Sequence, residues 1–329
     1  MRRRPTAHEV LAPWKDSSST TDDRPRTTRP VSRRAALCVY ANCPTIADGG
    51  STVNRDRPVV SIVTPSYNQG RFLEETLLSV QRQDYPWIEH IVVDGGSTDG
   101  SLDVIRRHEK HLARWASERD HGQSDAIRKG FALATGEVFA WLNADDLLIP
   151  SAVSVAVREL TRDPALSVVY GDRLEIDTKG NVLAAVQLPA HRNAMFRRHF
   201  TIPQETAFFR RAHYEAVGGV RAELQFAMDF DLWVRLSTAG PMRHVPLFLG
   251  CYRRHDRSKS VEMDAGSAEH PYHAESEDVY RQHFGRGLPS RLAMAVYRLA
   301  HRARLTLEQL SAARRQQRAR LQRELAEGW

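Results

Sequence analysis

No hydrophobic period runs through the first 57 residues, where Arg, Thr, Ser, Asp and Pro follow one another without order; the pattern starts abruptly at Val59. Such a stretch buries too little apolar area to offset its ordering entropy, so residues 1–57 are expected to form a disordered tail. Val59 to Val63 is an apolar run broken only by Ser61, the signature of a buried strand, and the polar turn 64–70 closes it. Phe72, Leu73, Leu77, Leu78 and Val80 then recur at helical spacing over 71–83. Ile88 to Val93 is a second buried strand closed by 94–100; a helix follows from Ser101, a short extended piece at 114–117, and a helix over about 123–134. A third apolar run, 137–142, stops at the polar turn 143–146, with a helix starting near Pro150.

Strands alternating with helices predict an α/β fold, with a central, mostly parallel mixed sheet flanked by helices. The pattern is looser after residue 150: a hairpin over 166–176 and 181–187, a short strand at 206–209, and a helix over 229–237. From Leu288 to Leu325 an Arg-rich helical stretch carries Leu292, Val296, Leu299, Leu305 and Leu310. The expected organisation is therefore a basic tail (1–57), one domain (58–280) divided near residue 150, and a helical extension (281–329).

Charge sharpens that division. The net charge is +7, yet residues 59–280 carry 25 Lys/Arg against 31 Asp/Glu, while 1–58 carry 11 against 6 and 281–329 carry 11 against 3. The basic character belongs to the two ends. It keeps open two uses for them, contact with anionic lipid through the C-terminal helix and nucleic-acid binding; no aromatic-basic interleaving supports the second, and no nucleic acid is expected. Three cysteines, Cys38, Cys43 and Cys251, in no framework spacing, point to a reducing compartment. No apolar run approaches the roughly 18–20 residues of a membrane span, so a cytoplasmic protein is expected, with any membrane contact made from the inner surface.

Ligands of open parallel sheets bind at the carboxyl ends of the strands. Three polar turns fall there: 64–70, 94–100 and 143–146. In them Tyr67 can stack on a base, Asp94 can accept a base N–H, and backbone N–H groups can meet phosphate oxygens. Each turn alone is equally an ordinary use of Gly, Asn, Asp and Ser. Asp145-Asp146 at a strand end is costly in repulsion unless a cation such as Mg2+ or Mn2+ bridges the pair to a diphosphate; an exposed turn or a helix cap is the alternative.

These residues together carry a resemblance. Ser61-Ile62-Val63-Thr64-Pro65-Ser66-Tyr67-Asn68, Val92-Val93-Asp94-Gly95-Gly96-Ser97-Thr98-Asp99-Gly100, Ser117 to Ala126, Lys129-Gly130 and Trp141 to Asp146 resemble the family 2 glycosyltransferases. The likeness continues more loosely through Ile202 to Glu205, Val217-Gly218-Gly219, Met228 to Trp233 and Tyr252 to His255, and takes in neither tail. It implies a GT-A nucleotide-sugar fold and an inverting enzyme that moves a sugar from a nucleotide-sugar to a hydroxyl of a saccharide or lipid-linked acceptor.

The resemblance also implies roles. Thr64, Pro65 and Tyr67 would line the base site, with Asp94 on the base imide, favouring a UDP- or dTDP-sugar. Asp120, Gln123, Ser124, Lys129 and Asn143 would accompany the donor's ribose and phosphates. Asp145 would contact ribose or metal, Asp146 and His255 would complete a Mn2+ or Mg2+ site, and Asp229 would be the general base. Glu205 and Gly219 would face the acceptor. One base opposite one metal suits a single in-line displacement, whereas hydrolysis would use two flanking carboxylates. Asp231 reads as a structural cap of its helix, and Asp229 itself could be only a cap. His255 is equally placed in a solvated loop, and Trp141 and Trp233, in apolar elements, read as core. Departures from the family pattern are Gly95 where a second acidic residue is common, Arg128 for Asn, Asn143 for Asp and Met228 for Glu. An inactive binding module on this fold is a further alternative, against which Asp145, Asp146, Asp229 and His255 all stand.

Overall fold

Seven consecutive buried residues, Val60–Ser66, form β1, which lies between two parallel neighbours, β2 (Ile88–Asp94) and β4 (Val138–Trp141). The computed structural model describes residues 57–198, 202–256, 258 and 271–285. The expectations for the N-terminal tail, for Cys38 and Cys43 and for the helix over 288–325 lie outside the described residues.

Along the chain, α1 (Gly70–Gln81) links β1 to β2, and α2 (Ser101–His108) leads to β3 (Arg114–Ser117). Next come α3 (Gln123–Leu133), β4, β5 (Leu147–Leu148) and α4 (Ala152–Arg162). The second half has the hairpin β6 (Val168–Ile176) and β7 (Val182–Val186), β8 (Phe208–Arg210), α5 (Arg211–Ala216), α6 (Met228–Ala239), β9 (Met242–Arg253) and α7 (Pro271–Phe284). The sheet order is β3-β2-β1-β4-β8-β6-β9-β5, with β7 on β6. It is parallel from β3 to β4 and mixed beyond, since β8 runs antiparallel to both β4 and β6.

Alternate side chains on each strand point to opposite layers. Val63, Phe139, Trp141, Tyr170 and Phe209 pack with Ile127 and Phe131 of α3 and Trp233 of α6. Ile62, Val138, Ala140, Val169 and Phe208 pack with Val153, Val157 and Leu160 of α4. Both faces are covered, which is why the parallel strands read as near-continuous apolar runs. Trp141 and Trp233 stack at 5.4 Å between centroids, as expected of core residues.

Two elements were not visible in the residue pattern. The 12-residue β9 alternates imperfectly, contains Pro246, and holds its register against β6 only through shifts around Asp172. α7 crosses the expected boundary at 280 and packs on α6, where His283 lies 2.9 Å from Asp231.

Candidate active site

The carboxyl ends of β1, β2 and β4 open on a cavity of about 1220 Å3. Its wall joins both halves of the chain, with Pro65, Tyr67, Gly95, Asp120, Gln123, Asn143, Asp145 and Asp146 from the first and Arg173, Glu205, Tyr252 and Asp229 from the second. The first two turns are tied to each other. Asn68 N donates to Ser97 Oγ (2.8 Å), Thr98 N to Asn68 Oδ1 (2.9 Å), and Gly70 N to Asp99 Oδ2 (2.9 Å). That lacing holds Tyr67 at the rim, where it is 64% exposed with its ring free to stack.

The expected contacts divide in two. Pro65, Tyr67, Asp120, Gln123, Asn143, Asp145, Asp146, Glu205 and Asp229 line the cavity. Six others are absent from its wall; His255 stands beside Asp145 at the third turn, and each of the remaining five has a reason. Thr64 is fully buried with its Oγ1 2.9 Å from His90 Nε2, facing the core rather than a base. Asp94 has no exposed area; its carboxylate accepts from Ser97 N (2.9 Å), Ser97 Oγ (2.5 Å), Gly96 N (3.1 Å) and Ser117 Oγ (2.7 Å). It is the scaffold of its turn, not a group turned to a ligand. Ser124 is buried and donates to Leu224 O at 2.5 Å, tying α3 to the loop before α6. Lys129 pairs with Glu118 (2.9 Å) and Asp125 (3.3 Å), spanning α3 and the loop before it. Gly219, at φ +68°, makes a turn in which an added Cβ would meet the Tyr214 ring at 2.8 Å.

The two acids of α6 are separated by their surroundings. Asp231 is wholly buried, bound by Arg235, with Arg221 at 3.3 Å and His283 at 2.9 Å. Burial raises its acid, but the hydrogen bonds from His283 and Arg235 and the charges of Arg235 and Arg221 outweigh that and hold it below the usual range. It is a structural anchor. Asp229, half-buried on the next face of the first helical turn, lines the cavity.

At the third turn, His255 Nε2 lies 2.9 Å from Asp145 Oδ2 and its ring packs on Phe72 at 4.9 Å. Asp146 is 1% exposed and accepts from Arg253 N (3.0 Å) and Asn143 Nδ2 (3.2 Å). Burial, then the charges of Asp145 and Glu205, push its acid well above the ordinary range. Among the described residues no group of three or more His, Cys, Asp or Glu is gathered as a ligand set. The donor chemistry still fits a divalent cation. A hard cation held by one or two protein groups fills its shell with diphosphate oxygens and water, and a carboxylate beside an imidazole suits Mn2+ better than Mg2+.

Two arginines extend the site beyond the residues assigned a role above. Arg173 reaches the cavity from β6, stacks on Tyr252 at 4.5 Å and faces Glu205 Oε1 at 3.6 Å. Glu205 is nonetheless held above its usual range, burial outweighing the opposing charge of Arg173. Arg253 ends β9 fully buried, donating to Asp145 O (2.9 Å), Asp177 O (3.2 Å) and Glu75 Oε2 (2.6 Å). In the residue order Arg253 belongs to the stretch Tyr252 to His255 that carries the resemblance, beside Arg254, whereas Arg173 stands between Asp172 and Leu174-Glu175 with no motif around it.

Comparison with known proteins gives the family and the fold. The family model described as Glycosyl transferase family 2 matches residues 61–218. An uncharacterized glycosyltransferase of Mycobacterium tuberculosis is 32% identical over 185 residues, 55% of this chain and 69% of that protein. The chondroitin synthase of Escherichia coli is 27% identical over 234 residues, 68% of this chain but 33% of the synthase, so the chain spans about a third of that relative. Among solved structures, Staphylococcus aureus TarS in complex with UDP-GlcNAc superposes with a TM-score of 0.56 at 16% identity over 71% of this chain and 69% of that one. The mannosyltransferase PcManGT of Pyrobaculum calidifontis, in complex with GDP-Man and Mn2+, gives 0.51 at 21% identity over 82% and 86%. These two likenesses carry the GT-A fold. No helix among the described residues is long and apolar enough to cross a membrane.

Proposed function

Because the chain belongs to the family 2 glycosyltransferases, we propose that its cavity binds a UDP- or dTDP-sugar and transfers the sugar, with inversion, to a hydroxyl of a growing saccharide or glycoconjugate. The observation that carries this reading is the meeting of Asp145 and Asp229, from opposite halves of the chain, on one cavity rimmed by an exposed Tyr67.

Tyr67 stacks on the base, and the turns at 94–100 and 119–123 enclose the nucleoside. Asp145 and His255 are the residues that would hold a Mn2+ ion, with Asp146 behind them. When bound, the ion offsets the charge that the diphosphate gains on leaving. Arg173 adds a fixed cation on the same wall. On the other side Asp229 takes the proton of the acceptor hydroxyl. The acceptor oxygen then forms its bond to the anomeric carbon as the carbon–oxygen bond to the diphosphate breaks, the electron pair leaving with the nucleoside diphosphate. Asp231 cannot share the proton, since Arg235, Arg221 and His283 already occupy its oxygens. The relation to a chondroitin synthase supports a polysaccharide as the product class.

The test needs no knowledge of the acceptor. A panel of UDP-, dTDP- and GDP-sugars incubated with Mn2+ should show slow release of the nucleoside diphosphate from a uridine or thymidine donor, lost on adding EDTA. With an acceptor in hand, Asp229→Asn should lower kcat by about 10^2–10^4-fold while donor Kd is unchanged. A protein that neither binds a nucleoside diphosphate nor cleaves any donor would refute the proposal, and full turnover by Asp229→Asn would refute the choice of base.

A further inference from the structure

Recognition of the base has a gap that the fold itself fills. Asp94, the acid nearest the base site in the residue order, is buried with its oxygens already accepting from Ser97, Gly96 and Ser117. The next position, Gly95, is on the cavity wall and has no side chain to offer. The space beside it is filled from elsewhere. A Cβ built on Gly95 would lie 2.8 Å from Asp120 Oδ2 and 3.1 Å from both Asp120 Cγ and Oδ1, and these are its three nearest atoms. The carboxylate of Asp120 therefore rests on the Gly95 backbone, in the volume that a side chain at 95 would otherwise enter.

Asp120 is fixed there. Its Oδ1 accepts from Gly122 N at 2.9 Å, closing a turn that Gly122 completes at φ +108°, and this leaves Oδ2 as the oxygen nearest Gly95. Asp120 shares the wall with Pro65 and Tyr67, the strip on which a base would stack.

We infer that Asp120, seated in the notch left by Gly95, is the specificity-determining carboxylate that accepts the ring N–H of a uracil or thymine base. This rests on the proposed nucleotide-sugar function and deepens it. Uracil and thymine present a donor at N3, whereas cytosine presents an acceptor there, which a carboxylate repels. The assignment moves Asp120 from the ribose and phosphates to the base and makes Gly95 its necessary partner, since any larger residue at 95 would displace it.

The arrangement can be exchanged as well as removed. Gly95 does not adopt a left-handed backbone, so an L-residue fits its conformation once Asp120 is trimmed. The experiment is calorimetric titration of UDP, CDP and GDP in Mn2+ into the wild type, Asp120→Asn and the exchange variant Gly95→Asp/Asp120→Gly. Asp120→Asn keeps an oxygen for Gly122 N and hence the turn. The wild type should prefer UDP to CDP by about tenfold or more, the scale of one hydrogen bond to a charged group. Asp120→Asn should erase most of that ratio by weakening UDP alone, and the exchange variant should regain it. Equal weakening of UDP and CDP would assign Asp120 to ribose or phosphate and overturn the inference, as would unchanged binding or a wild-type preference for GDP. The first two results leave the transferase proposal standing, and a preference for GDP leaves sugar transfer standing but not its uridine or thymidine donor; absence of binding by every nucleoside diphosphate overturns both.

Discussion

Replacing Arg253 by Met removes a guanidinium that has no exposed surface and keeps a side chain of comparable length in its place. The ion pair with Glu75 is not where the cost lies. Glu75 is 49% exposed, so its carboxylate returns to water when the partner goes, and such pairs contribute little net stability. The cost lies in the carbonyls of Asp145 and Asp177, which receive Nε at 2.9 Å and Nη1 at 3.2 Å. A fully buried acceptor left without a donor costs about 1–3 kcal/mol; both carbonyls belong to half-buried residues that water can partly reach, so the pair together predicts a loss of about 1–3 kcal/mol. The contact of the guanidinium over Phe72, 4.9 Å from the ring centroid, is lost too. Since Arg253 holds the backbone of Asp145, the effect should reach the site, with weaker UDP binding in Mn2+ beyond the loss of stability. Urea denaturation gives the first quantity and titration of UDP in Mn2+ the second. Arg253→Lys should recover only part of either, because the three donors of an ammonium sit on one nitrogen and cannot reach the separate acceptors of Nε, Nη1 and Nη2. A Met variant whose unfolding free energy stays within about 0.5 kcal/mol of the wild type, with unchanged UDP affinity, would refute the reasoning; that scatter is what a surface substitution produces.

Other perturbations test the frame around the site. In Gly130→Ala the new methyl would sit 2.3 Å from Val63 Cγ1, so α3 must shift off β1 at a cost of about 1–3 kcal/mol by thermal or urea unfolding, outweighing a helix-propensity gain of about 1 kcal/mol. Adding Val63→Ala should recover part of the loss, and strict additivity would contradict the contact. His90, buried against Thr64, has its imidazole pushed down to about 3 by burial. The unfolded chain therefore takes up the proton first, and this stabilising contribution, full above about pH 6.5, is lost as pH falls toward 3, by about 1.4 kcal/mol per pH unit. Asp146 and Glu205, raised by burial, act in the opposite sense, so the readout is the wild-type pH profile minus that of His90→Gln; parallel profiles would contradict it. Glu275 of α7 accepts from the backbone N–H of Gln225 (2.8 Å), Phe226 (2.7 Å) and Ala227 (2.6 Å), just before the helix that carries Asp229. Glu275→Ala should speed amide exchange at 225–227 at least tenfold, the equivalent of about 1.4 kcal/mol, and unchanged exchange would argue against this capping.

Much of the first half was legible because its signals are local. A parallel strand buried on both faces must be apolar throughout, so β1, β2 and β4 announce themselves as runs such as Val59–Val63 and Ile91–Val93, and the polar turns after them mark the cavity mouth. β9 stayed hidden because its partner β6 lies far along the chain, and a strand that needs register shifts leaves no clean alternation. The helix α7, with its cap on the loop before α6, was likewise unreadable, since nothing in the order of residues 271–284 says what they touch.

The residue order by itself determined that acids would gather at strand ends and near the start of α6, and which family they resemble. It could not say which way each acid faces. Neighbours in sequence, such as Asp94 and Gly95 or Asp229 and Asp231, differ by a rotation about the backbone that only the packed structure selects. Asp231 turns inward because Arg235, Arg221 and His283 converge on it from two helices and a loop. Asp94 turns inward because Ser97, Gly96 and Ser117 saturate it. The same packing leaves a carboxylate on the cavity wall in each place, Asp229 in one and Asp120 in the other, while the inward acids persist only where their hydrogen bonds are made.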